Sequence, residues 1–192
     1  KLDRYTTPGT LISSRGCPFQ CIFCFQTFGR SWRSHSPEYL IHEIEELVYK
    51  YKIKTIRLMD DNPFVSKERM MKICNLLIKT GLYKKINIEI NSGVRVDLID
   101  EELLSKLKEV GLNEIFYGVE STDADVLKMM KKGITFEQVK NVMSYTKKIG
   151  IYTSLFVIVG MPGDTYQKSI KTMIDILRLK PNFIFVTLAT PY

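Results

Sequence analysis

Alternation constrains the fold of this chain more than any other feature. Six short apolar runs rich in β-branched and aromatic residues lie at 10–14, 55–59, 85–91, 114–119, 152–159 and 183–188, separated by segments with helical periodicity. Several runs are almost continuously apolar, the pattern of strands covered on both faces. The segments between them carry their own start and stop signals. Ser36 precedes Pro37, an N-cap followed by proline at the first helical position, and Leu40, Ile44, Leu47 and Val48 then line one face. Ser66 can cap a stripe of Met70, Ile73, Cys74 and Leu77 that stops at Gly81, and Asp100 can cap Leu103, Leu104, Leu107 and Val110 before Gly111. Thr135 with Gln138 forms a capping box ahead of Val139, Val142, Met143 and Ile149, with Gly150 as the stop. A last helix, from about Thr165, is expected to bury Ile170, Met173, Ile174 and Leu177 and to end before Pro181. Repeats of about 30–45 residues have the size of βαβ units. The alternation therefore predicts an α/β fold with a parallel sheet and right-handed crossovers. Periodicity alone fits an open doubly wound sheet and a barrel equally.

The chemistry is concentrated in residues 15–24, directly after the first run. Three of the four cysteines, Cys17, Cys21 and Cys24, stand in a CxxxCxxC spacing, with Gly16 and Pro18 beside the first. Thiolates are soft ligands suited to iron–sulfur clusters or zinc. In a closed electron-transfer cluster each of four irons takes a cysteine, so three thiolates leave one iron open to a small molecule. A structural zinc site or a disulfide is the bland alternative. Zinc wants four ligands, usually in two pairs, and the nearest candidate, His35, has no paired ligand beside it. His35 and His42 read as structural or exposed. Cys74, on an apolar helical stripe, reads as a small core residue.

At 192 residues the chain is long enough for one domain with a substantial core and too short for two ordinary ones. Hydrophobic residues at 45% and charged residues at 26% describe an ordinary globular composition. No run approaches the roughly 20 apolar residues of a membrane span. The net charge of +7 comes from lysines spread over several helices, which reads as a solvated surface. Docking of an acidic electron donor or of nucleic acid is the other use of such charge, though nothing points to nucleic acid in particular. Reduced cysteines with no signal peptide before them suit a cytoplasm. A start at Lys1 and a stop at Tyr192, just after a strand-like run, read as a single domain excerpted from a longer protein.

With an aromatic residue, Phe23, just before the last cysteine, the CxxxCxxC stretch resembles the signature of the radical S-adenosylmethionine (SAM) superfamily. The resemblance runs from the cysteines to the end of the chain and is strongest to the branch whose members carry a cobalamin-binding domain. Arg33-Ser34, Ser36-Pro37-Glu38 and Glu43-Ile44 are similar to the linker and first helix of that branch, and Thr190-Pro191-Tyr192 to its last segment. The resemblance implies a (β/α)6 partial TIM barrel with parallel strands. The cysteine loop would then sit at the carboxyl-end rim, where such folds place their active sites.

The resemblance also implies roles for residues. Cys17, Cys21 and Cys24 would bind a 4Fe–4S cluster whose fourth iron is chelated by the amino and carboxylate groups of SAM. After the second strand the superfamily usually has a glycine–glycine–glutamate-like motif. Here Asp60, Asp61 and Asn62 stand instead, similar to the cobalamin-branch version, with a capped turn as the alternative reading. Ser92 and Arg95 are candidates for polar contacts with SAM or substrate, although Arg95 is also placed to pair with Asp97 or Glu120. Glu120, in a Gly-Val-Glu-Ser run, would reach SAM, since a carboxylate accepts from ribose hydroxyls or an ammonium group. Lys132 resembles the basic residue that meets the SAM carboxylate. Gly160, Met161 and Pro162, with the backbone near Phe23, match the adenine side, where Gly160 serves close approach or a turn.

The implied activity is reductive cleavage of SAM to a 5′-deoxyadenosyl radical that abstracts hydrogen from an unknown substrate, in cobalamin-dependent methylation or ring formation. Cobalamin would enter through an N-terminal domain that this chain has no room for. The electron would come from a donor such as flavodoxin or ferredoxin. No substrate-side acid or base can be named. The alternatives are methylthiotransferase-type modification of RNA or protein and a non-catalytic iron–sulfur or zinc module.

Overall fold

A computed structural model describes residues 8–25 and 27–190, so Pro191 and Tyr192 of the terminal motif lie outside the described residues. In chain order its elements are β1 (Gly9–Leu11), β2 (Ser14–Arg15), β3 (Arg33–Ser34), α1 (Pro37–Tyr49), β4 (Thr55–Leu58), α2 (Lys67–Thr80) and β5 (Asn87–Val94). There follow α3 (Glu101–Glu109), β6 (Leu112–Glu120), α4 (Ala124–Met129), α5 (Phe136–Lys148), β7 (Tyr152–Val159), α6 (Tyr166–Arg178) and β8 (Phe183–Leu188). Six strands form one sheet in the order β1-β4-β5-β6-β7-β8, and every neighbouring pair is parallel. Each strand lies beside its successor in this sheet, the strand order of a barrel rather than of a doubly wound sheet, whose order reverses at a switch point.

The helix starts are the ones the sequence predicts, because a cap is a local hydrogen bond. Ser36, Ser66, Asp100 and Thr165 each accept from a backbone N–H three residues on, and Thr135 with Gln138 forms the reciprocal capping box. Gly81 ends α2 at φ 73°, a left-handed conformation that glycine adopts without steric penalty. Apolar faces of the helices meet one face of the sheet around Ile56, Ile90, Leu104, Leu107, Ile115 and Leu155, all buried. Cys74 lies in this core, and burial pushes its thiol up to about 12. The other face of the sheet carries Phe116, Phe156 and Phe185, whose rings sit 5.4–5.7 Å apart.

Four local expectations change. The first run splits: β1 ends at Leu11, and Ser14–Arg15 pairs antiparallel with Arg33–Ser34. The third strand begins at Asn87, because a 3₁₀ turn, Leu82–Lys84, takes up the approach. Helix α4, six residues capped by Asp123, is too short to announce itself by periodicity. The stripe expected to be buried on α6 is so only in part: Met173 packs on the core, but Ile170, Ile174 and Leu177 are 42%, 45% and 60% exposed, and Thr172 and Ile176 are buried in their place. No described residue covers those three side chains. No described helix is long and apolar enough to cross a membrane.

Candidate functional site

The cysteine loop leaves β1 at the carboxyl end of the strands and is tied down from β4. Ser13 donates to Asp60 through both its backbone N (2.7 Å) and its hydroxyl (2.6 Å), and the Ser14 hydroxyl also donates to Asp60. Arg69 of α2 fixes the same corner, donating from Nη2 to the Ser13 carbonyl at 3.0 Å and from Nε to the His35 carbonyl at 3.0 Å. Asp60 is buried within this network and does not line the cavity described below. Asp61 does line it, and its Oδ2 accepts from the Gly16 N–H at 2.9 Å. Gly16 has φ 83°, and a Cβ there would stand 2.3 Å from the Ser31 carbonyl oxygen. Only glycine lets the chain pass between β1 and the returning loop. Asn62 turns its Oδ1 back to accept from the Phe64 N–H at 3.1 Å, the capped turn that a polar residue makes after a strand.

Held this way, Cys17, Cys21 and Cys24 line a cavity of about 420 Å³ at the rim. Burial, and then the neighbouring Cys17 and Cys21, raise the Cys24 thiol above its ordinary value, while Lys132 opposes the shift. Among the described residues no three Cys, His, Asp or Glu side chains form a single-ion metal site. A polynuclear cluster takes one thiolate per iron, so its ligands need not converge on one point.

The opposite side of the cavity comes from strand ends that leave the regular ladder. β5 is irregular between Ile90 and Val94, and Asn91 and Ser92 there face the cavity. Their Oδ1 and Oγ atoms are buried without a hydrogen-bond partner, a condition that costs free energy until something supplies a donor. β6 shifts register between Gly118 and Glu120, and Glu120 adopts φ 65°, an uncommon conformation for a side-chain-bearing residue. It is thereby turned inward to accept from Lys132 Nζ at 3.0 Å, in a pair buried on both sides. Burial raises the Glu120 carboxyl above its usual range in spite of Lys132. Gly118 makes room for the pair: a Cβ on it would stand 2.6 Å from Glu120 Oε1 and 2.8 Å from Lys132 Nζ. Arg95 is committed elsewhere, with Nε and Nη2 on the two oxygens of Asp97 at 3.0 and 2.8 Å.

Phe23 stands between this cavity and a second one of about 780 Å³ that Gly160, Met161 and Pro162 line. Its ring centroid is 5.5 Å from Lys132 Nζ, and it packs on a small cluster of Val126, Met130 and Met161. The Ile22 N–H donates to the Met130 carbonyl at 3.1 Å, which binds the cysteine loop to the end of α4. Gly160, at φ 80°, donates its N–H to Asp164 at 3.0 Å and so shapes the turn after β7.

The structure thus brings the three cysteines, Asp61, Asn62, Ser92, Arg95, Glu120 and Lys132 to one cavity, sets Gly160, Met161 and Pro162 across Phe23, and turns Asp60 away. Sequence reasoning missed Asn91 and Gly118. Strand alternation puts Asn91 on the face of Glu89, and a glycine two residues before an inward carboxylate marks a close approach. The residues present fit a 4Fe–4S cluster with SAM. Three thiols border a space of ligand size, two buried oxygens await donors, and one buried ion pair offers both signs of charge.

The comparisons with known proteins agree with that fit. An uncharacterized methyltransferase of Pyrococcus horikoshii is 32% identical over 197 residues, covering 100% of this chain and 42% of the relative, so the chain spans under half of that protein. The radical SAM methyltransferase TsrM of Kitasatospora setae, solved with cobalamin and a [4Fe-4S] cluster, superposes with a TM-score of 0.85 at 17% identity. It covers 94% of this chain and 36% of its own. The cobalamin-dependent SAM radical enzyme OxsB gives a TM-score of 0.70 at 25% identity over 88% of this chain and 26% of its own. The partial TIM barrel of radical SAM enzymes is therefore the architecture of this sheet. Residues 11–176 match the family model of the radical SAM superfamily, and with the cysteine cavity at the barrel rim they make this chain a member of that superfamily.

Proposed function

We propose that residues 1–192 are the catalytic core domain of a longer cobalamin-dependent radical SAM methyltransferase. The observation that carries the reading is the meeting of Cys17, Cys21 and Cys24 with the buried, unpartnered Asn91 Oδ1 and Ser92 Oγ at one cavity. Methyl transfer is favoured by the relative that matches the whole chain, and cobalamin by the sequence likeness to OxsB.

When bound, a 4Fe–4S cluster with SAM supplies one-electron cleavage of a carbon–sulfur bond, chemistry that no side chain provides. The protein's part is binding, orientation and exclusion of water. Cys17, Cys21 and Cys24 would hold three irons. Asn91 and Ser92 present acceptors to the amino and hydroxyl donors of SAM. The Glu120–Lys132 pair would open toward the ligand, the carboxylate to ribose hydroxyls or an ammonium, the ammonium to the carboxylate of SAM. Asp61 and Asn62 complete the wall beside the cysteine loop. Phe23, with Gly160, Met161 and Pro162 across from it, would receive the adenine. The reductant would be a flavodoxin- or ferredoxin-type donor in a cytoplasmic setting.

Anaerobic reconstitution of the chain with iron and sulfide tests this. About four irons per chain are expected, with release of 5′-deoxyadenosine and methionine on reduction, and a change in the electron paramagnetic resonance spectrum of the reduced cluster when SAM is added. Substituting any one of the three cysteines by alanine should abolish all three signals. Zinc at the cysteines, or a reduced cluster indifferent to SAM, would overturn the reading.

A further inference from the structure

Arg95 is 5% exposed and stands at the foot of the cysteine cavity, yet its donors are not aimed at the open space. Nε and Nη2 form a fork on the carboxylate of Asp97, at 3.0 and 2.8 Å. The third arm, Nη1, points at Cys21 Sγ, 3.7 Å away. The guanidinium lies over the ring of Phe19, with Cζ 3.8 Å from the ring centroid. Phe19 belongs to the cysteine loop itself, between Cys17 and Cys21. One side chain rooted just after β5 thus grips the loop twice, through a sulfur and through a ring, while Asp97 fixes the fork in plane.

We infer that Arg95 is a positioning residue for the metal centre: it holds Cys21 in place and makes the cluster easier to reduce, and it is not a contact for SAM. The inference rests on the radical SAM reading above. The physical argument has two parts. A buried cation is tolerated only where it is paired and hydrogen-bonded, and the Asp97 fork and the sulfur give each guanidinium nitrogen a partner without any ligand, with the Phe19 ring beneath the cation. Reduction adds a negative charge to the cluster, and a donor from a fixed cation to a ligating sulfur stabilises that charge; hydrogen bonds to the sulfurs and net charge are among the properties that set such potentials. Lysine would keep the charge but lose the planar fork that the site uses.

The test compares the reconstituted wild type with Arg95→Gln and Arg95→Lys in a potential titration of the cluster without SAM, followed by equilibrium dialysis with SAM. In R95Q the reduced fraction at the wild-type midpoint should fall about tenfold relative to the oxidised form, a shift of about 59 mV to lower potential for a one-electron couple. SAM affinity should stay within about twofold, and R95K should fall between the two proteins. Where R95Q loads no cluster, R95K carries the same two measurements. An unchanged midpoint with SAM binding weakened tenfold would make Arg95 a SAM contact, and an unchanged midpoint with unchanged binding would leave it a brace for Asp97; either result overturns the inference. A wild type that binds no SAM-responsive cluster sinks the radical SAM reading instead, before any Arg95 variant is compared.

Discussion

Glu120 shows how a single residue is bent to a site. It accepts a left-handed backbone at φ 65° and burial at once, and both are tolerated because Lys132 meets its carboxylate at 3.0 Å. Burial is the larger influence and raises its carboxyl, with Lys132 pulling the other way. The native state therefore holds this proton at a pH where the unfolded chain has released it. Stability is greatest below the ordinary carboxylate value and declines as pH rises through the raised folded value. In Glu120→Gln that titration is gone. Urea midpoints of the two proteins, followed from acid toward neutral pH, should show wild type losing ground to E120Q, and parallel curves would refute the assignment of burial as the dominant cause.

At the scale of elements, the path of the cysteine loop depends on one backbone position, the glycine before its first cysteine. Gly16 has φ 83° and no space for a Cβ, which would meet backbone at 2.3 Å. Gly16→Ala should leave the six-stranded sheet, and so the circular dichroism spectrum, intact. It should nonetheless cut iron loading to a small fraction of wild type, because the loop between β1 and β3 must shift while the sheet need not. Full iron content in G16A would show that the loop tolerates another path. How much of this was legible in the sequence divides along the same line. Caps such as Ser36, Ser66 and Thr135 were readable because each bonds three residues away. The turning of Asp60 to Ser13 and the reach of Arg95 to Cys21 were not, since the partners lie 47 and 74 residues apart; nor was the splitting of the first strand, whose second part pairs with Arg33–Ser34 across the cysteine loop. The α6 stripe misled for the opposite reason. Its periodicity is genuine, but helical spacing reports an apolar face and says nothing about whether a neighbour covers it.

Across the whole molecule the sheet has two ends, β1 and β8, and the β8 end is apolar. Val186 and Leu188 are exposed on β8, and α6, which precedes it in the chain, leaves Ile170, Ile174 and Leu177 exposed as well. An uncovered strand edge with apolar neighbours is a template for pairing. Sedimentation of this 192-residue chain should show association that grows with concentration, and Val186→Lys with Leu188→Lys should weaken it without loss of the fold. A monomer at all concentrations would contradict this. The strand order has a further consequence. Because β1, β4, β5, β6, β7 and β8 are neighbours in the order in which they are made, each new strand leaving a ribosome finds its partner already waiting. No strand among these six must be held in reserve for one not yet synthesised, so the sheet can grow by accretion from the cysteine end.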